Sequence, residues 1–324
     1  MRTGKIPASK ELEKPEKHLR KTMMTTSPWQ QRAEIHREEL SPITSAYRAR
    51  KARGKLHPVH DFLFSYYPYT AGKLEQWHPP VGEVLTHQGT FPEHFQKKHY
   101  CLNENSAALD PRILREKDIA RIRFSRDLLE LTSSRAPNFG CYGLHEWAMV
   151  YRSEDVRHRE SAPLRLSPTE IKDFVESQTL ACSHFDAVRF FTPAAIPRNR
   201  LQPTLDTRKD HEQPGCIHAN MDLYKWSFKA MPWVGSDILR KTFFLALRLR
   251  ELDMRASPYD LSSYGYSAIA IETTAGRAEY VKTQQELANK SAALRVEVVN
   301  ALNSLLEQVT FRNQSPLQSI TAES

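Results

Sequence analysis

The chain has 324 residues, of which 40% are hydrophobic and 26% charged, and a net charge of +8. That length suits one large domain or two closely packed ones, and no run approaches the roughly 20 apolar residues of a membrane span. Residues 1–56 carry 14 Lys and Arg against 6 Asp and Glu, while the remainder holds 32 of each, so the basic excess belongs to this arm alone.

Residues 1–27 mix Lys, Glu, Thr and Pro with few apolar anchors, a composition that predicts a disordered basic tail. They contain no apolar stretch of secretory type. Cys101, Cys141, Cys182 and Cys216 lie far apart with no CxxC pair, which predicts reduced thiols in a cytoplasmic protein without membrane contact. From Pro28 to Arg53 the pattern predicts a helix interrupted near Pro42. Its densest basic stretch, Arg48, Arg50, Lys51, Arg53 and Lys55, is either a phosphate-tracking nucleic-acid arm or a solvated helix face. The aromatic cluster Phe62, Phe64, Tyr66 and Tyr67 is expected to anchor this arm to the core.

Residues 74–110 are rich in Pro, Gly, His and Asn and are expected to be irregular. Helix resumes near Arg112, with Ile119, Ile122, Leu128 and Leu129 near helical spacing. Ser167-Pro168-Thr169-Glu170 combines a capping Ser, a Pro at the first helical position and a Glu that closes a capping box, so a helix runs to about Ser177. Leu180–Thr192 is β-friendly and predicts a buried strand. Residues 236–254 form the clearest helix, 268–272 a short strand, 278–309 one or two helices and 311–324 a flexible tail. The fold class is mainly α with a few short strands (α+β), a helix-rich single core over residues 28–310, as one domain or two packed subdomains.

Three polar clusters carry candidate chemistry. In Gly140-Cys141-Tyr142-Gly143-Leu144-His145-Glu146-Trp147 the glycines permit a tight turn. A helix starting there could present N–H groups to an anion beside His145 and Glu146, the alternative being an ordinary capped helix start. In an extended His184-Phe185-Asp186 both polar groups share one face. Apolar neighbours would then raise the pKa of Asp186 toward acid–base work, and Arg189 would point the other way. His218, Asn220 and Asp222 fall together whether that segment is extended or helical. His184, Asp186, His218 and Asp222 make a candidate set for a divalent metal, with no other cofactor expected. Arg255 closes the clear helix, as an anion holder or a salt-bridged terminus. No Walker loop, GxGxxG, GxSxG or zinc-ribbon spacing is present, which lowers the weight of nucleotide-driven and standard hydrolase classes.

These same blocks, with His57-Pro58-Val59, Asp61-Phe62-Leu63-Phe64, residues 212–226 and 251–261, resemble a bacterial family known as 3-methyladenine DNA glycosylases, over about Trp29 to Leu294. No helix-hairpin-helix motif is legible; Pro232-Trp233-Val234-Gly235 is only faintly similar to one. The resemblance implies a DNA base-excision enzyme that extrudes an alkylated base, stacks it on aromatic rings and hydrolyses its N-glycosidic bond with a carboxylate. On that reading Trp147, Tyr224 and Trp226 stack the base, with Asn220, Lys225 and Arg255 beside it. Asp186, then Asp222, is the working carboxylate, His145, Glu146 and His184 assist, and the basic arm holds phosphates. The other readings are a metal-dependent hydrolase and a non-enzymatic nucleic-acid-binding protein.

Overall fold

The computed structural model describes residues 27–87, 89–153 and 162–314, so the expectations for residues 1–26 and 315–324 lie outside the described residues. Helix α1 (Pro28–Ala52) opens with a capping box at Ser27 and Gln30, and Pro42 does not interrupt it. Pro42 is exposed, so the helical hydrogen bond it cannot make falls on the side where water replaces it. Trp29 stacks on Trp77 and Phe91, while Tyr47 stacks on Phe64 at 4.3 Å, so the aromatic cluster does tie the arm down. Helices α2 (Phe62–Tyr66) and α3 (Ala71–Glu75) follow.

The strands occur where irregular chain was expected. β1 (Val84–Thr86), β2 (Tyr100–Asn103) and β3 (Ser106–Leu109) form an antiparallel sheet of order β1-β3-β2. Strands of three or four residues are too short to show alternation, and the Pro and Gly between them dominate the composition. Conversely, residues 268–272 form no strand. Ile271 and Thr273 turn back on Ile269 and Ala270, and Gly276 packs so close to the Ala270 carbonyl that a Cβ would overlap it.

Helix α4 (Glu116–Ser133) precedes α5 (Leu144–Ala148) and α6 (Pro168–Ser177). The Ser167–Glu170 capping box forms as predicted, with Glu170 Oε2 accepting from the Ser167 N–H at 2.8 Å. The strand expected over 180–192 is replaced by the single turn α7 (Phe185–Val188), leaving only a parallel bridge between Leu180 and Asn199. Helical winding buries Ala187, Val188 and Phe191 together and sets Asp186 beside Arg189, whose Nε lies 3.3 Å from Oδ1. The opposite-face reading of that pair is therefore corrected.

After α8 (Arg208–His211), α9 (Ile217–Lys229) and α10 (Ser236–Arg255) pack along each other. Helix α11 (Thr274–Gln314) covers α4, α9 and α10 as one continuous element, extending four residues into the segment expected to be a tail. Tyr280, Leu287, Leu294, Val298, Leu302 and Leu305 form its buried stripe. One apolar core runs from Trp29 to Leu306, and among the described residues no helix is long and apolar enough to cross a membrane.

Candidate functional site

Three loops that lead into helices converge on α10. The loop before α5 and the loop before α9 touch backbone to backbone: a Cβ on Gly215 would lie 2.6 Å from the Asn138 carbonyl oxygen. Gln213 clamps them, accepting from the Asn138 N–H at 2.8 Å and donating to the Asn138 carbonyl at 3.0 Å. The third loop is held by Asn199, which accepts from the Cys182 N–H at 2.8 Å and donates to the Cys182 carbonyl at 2.9 Å. Small residues and amides thus position the polar side chains, and α10 supplies the wall.

Two pockets result, sharing His218. The first encloses about 450 Å³ with its mouth and is lined by Phe62, Tyr66, Glu146, Met149, Asp186, Phe190, His218 and Arg250. Arg250 is buried, stacks 3.8 Å over the Phe62 ring, and donates from Nη1 to Glu146 Oε1 and Asp253 Oδ2, each at 2.7 Å. A guanidinium in an apolar wall with two carboxylates keeps its charge without solvent.

Behind this pocket lies a carboxylate cluster centred on Lys225. Its Nζ donates to Asp186 Oδ2 at 2.6 Å and Asp222 Oδ2 at 2.8 Å, and Tyr67 donates to Asp222 Oδ1 at 2.9 Å. Arg208 pairs with Glu212 at 2.8 Å and reaches both aspartates at 3.5 Å. The ring of His184 is buried, with Nε2 3.4 Å from Glu212 and Asp222. Burial pushes the Asp186 carboxyl up, but Lys225 more than reverses this and holds it below its ordinary range. Asp222 is likewise held low, by Lys225 and His184 against burial. The expectation that Asp186 has a raised pKa is corrected: it is an ionised carboxylate. The predicted metal ligands are also affected. His184, Asp186 and Asp222 each bring a donor atom within 4.8 Å of the others, yet the ammonium of Lys225 already bonds both carboxylates. The cation of that cluster is a lysine.

The second pocket, about 390 Å³ with its mouth, contains what the sequence reading missed. Cys141, Cys182 and Cys216 line it together with His145, His184 and His218. Cys141 and Cys182 sulfurs are 3.2 Å apart, and Nε2 of His145 is 2.5 Å from Asp253 Oδ1. Cys182, sharing a proton with Cys141, and the nearby His145 hold the Cys141 thiol well below its usual range; Cys182 is correspondingly pushed up. Burial works against charge on His145, but Asp253 keeps its pKa well above the ordinary value. A signal was present in the chain: each of these cysteines precedes a histidine at short range, as Cys141-Tyr-Gly-Leu-His145, Cys182-Ser-His184 and Cys216-Ile-His218. Searching for CxxC pairs overlooks it.

The remaining predicted residues divide. Trp147 and Tyr224 are fully buried and Trp226 nearly so, which corrects their assignment as stacking platforms. Trp147 donates to the Ala256 carbonyl, and Trp226 packs against Phe124 beneath Arg208, Lys225 and Lys229. Asn220 bridges the Pro214 carbonyl and Arg295, inside the core rather than in a pocket. Arg255 reaches the Ser267 carbonyl and Glu279, as a salt-bridged terminus away from both pockets. The five-residue α5 offers no anion site, because Tyr280 fills the space at Gly143. On the arm, Arg48 is paired with Glu75 and Arg50 with Asp61, while Lys51, Arg53 and Lys55 are exposed.

Comparisons with protein-family models, with curated proteins and with solved structures yield no match for this chain.

Proposed function

We propose that this protein is a hydrolase of glycosylase type, which cleaves the N-glycosidic bond of an alkylated base in DNA within the aromatic pocket beside Asp186. The observation that carries this reading is the Asp186 carboxylate, paired with Lys225, on the wall of a pocket also faced by Phe62, Tyr66, Met149, Phe190, His218 and the Arg250–Glu146 pair. A flat base extruded from the duplex stacks on such rings, and a guanidinium beside a carboxylate offers a donor and an acceptor to its edge.

Departure of the base leaves oxocarbenium character on the sugar, and a fixed negative charge nearby stabilises it. Lys225, Arg189 and Arg208 keep Asp186 ionised and in one orientation, so it acts as an electrostatic stabiliser and not as a general acid or base. The base stacks on Phe62, Tyr66 and Phe190, in place of the buried tryptophans. Lys51, Arg53 and Lys55, exposed at the end of α1 and just beyond it, supply phosphate contacts that weaken with salt.

The test is release of free base from methylated duplex DNA. Wild type releases base, and Asp186→Asn lowers the rate on the order of 10²–10³-fold while remaining folded by circular dichroism. Folded wild type that releases no base from any alkylated duplex overturns the reading.

A further inference from the structure

The thiol pocket has a different character from the pocket of the proposed reaction, and nothing inferred about it depends on glycosidic chemistry. Its three cysteines come from three separate loops that the Gln213 and Asn199 clamps hold together. Backbone N–H groups lie near two of the sulfurs: that of Gly143 by Cys141, and those of His218 and Ala219 by Cys216, which stands at the start of the thirteen-residue helix α9 without making a capping hydrogen bond. Such N–H dipoles favour thiolate charge where solvent is excluded. Cys141, Cys182 and a ring nitrogen of His145 lie within 4.8 Å of one another, while the Cys216 sulfur lines the same pocket outside that group. Because Asp253 takes Nε2 of His145, the nitrogen left for a ligand is Nδ1. A carboxylate that orients a histidine in this way is the usual support of a metal-bound imidazole. The sulfur separation of 3.2 Å is far beyond the ~2.05 Å of a disulfide bond. Among the described residues no lysine or arginine lines this pocket.

We propose that the pocket binds one zinc-class divalent ion, ligated by Cys141, Cys182, Cys216 and Nδ1 of His145. Thiolate and imidazole donors select such an ion over magnesium or calcium; Cys141, Cys182 and His145 already stand together, and Cys216 closes a tetrahedral set as the ion draws it in. Binding releases the thiol protons, and the ion takes the place of the proton that Asp253 otherwise keeps on His145. The ion joins the loops that precede α5, α7 and α9, so its removal loosens the wall between the two pockets.

The untagged full-length protein is purified without chelator, its metal content is measured, and it is then exchanged with Co2+. About one zinc per chain and a thiolate-to-cobalt charge-transfer band are expected. Cys141→Ser and Cys216→Ser each remove one thiolate's share of that band. Asp253→Asn keeps the band but weakens cobalt affinity on the order of 10–100-fold, as loss of an outer support does. Cys101→Ser, on the exposed sheet, changes nothing. A wild type whose thiols are all free and which shows no cobalt band overturns the proposal, as does iron with sulfide in place of a single divalent ion, or a Cys141–Cys182 disulfide in the purified chain.

Discussion

The Lys225 cluster and the thiol pocket lie next to each other and are built from adjacent residues of the same loops, yet they handle charge in opposite ways. Asp186, Asp222 and Glu212 are neutralised by cations that the chain itself provides, Lys225 and Arg208. Cys141, Cys182 and Cys216 collect soft donors where the chain provides histidines and no permanent cation. Hard carboxylates near one another are thus a poor guide to a metal when an ammonium fits between them. The more telling pattern is soft donors brought together with no lysine or arginine of the described residues among them.

The comparison can be broken hardest at its built-in cation. Lys225→Ala leaves Asp186 and Asp222 facing each other in a buried site, and a loss of about 3–5 kcal/mol in urea unfolding is expected; an unchanged midpoint would show that Arg208 alone balances them. On the thiol side, Gly215→Ala forces the loops carrying Cys141 and Cys216 apart at Asn138. A cost of about 1–3 kcal/mol is expected by thermal melt.

Acid separates contributions in a known order. Burial lowers the pKa of His78 to about 3 and that of His57 to about 4. Unfolded imidazoles take up protons as pH falls below about 6.5 whereas these do not, so stability declines across the window down to those values. The paired Asp186 and Asp222 follow a different course, because their folded pKa values are depressed. Their contribution is whole above the ordinary carboxylate pKa of about 4 and is lost only below it. Urea midpoints of the wild type measured from pH 7 to pH 4 should therefore fall with the histidines and not with these aspartates. The smallest effect belongs to Cys101→Ser, within about 0.5 kcal/mol, as for an exposed side chain.

The chain's own pattern determined the long elements. The stripe Thr242, Leu245, Leu249 and Leu252 on α10, with Ile238 half-buried at its start, and the Ser167 capping box are local, repeating or tightly spaced signals, and they form. Of the polar motifs between Asn138 and Asp260, those up to Asp222 gather around the two pockets, whereas Arg255 lies away from both. Tertiary contacts decided the rest. Residues 180–192 wind into a single turn because Ala187, Val188 and Phe191 bury together, although their β-branched and aromatic character argues for a strand. The buried state of Trp147, Tyr224 and Trp226 could not be read from residue type, since a tryptophan in the core and one in a pocket look alike in sequence. The pairing of Lys225 with two carboxylates, one of them 39 residues away, and the meeting of three cysteines spread over residues 141–216 depend on distances through space. Periodicity encodes which face of an element is apolar; only packing determines which polar groups share the space that remains.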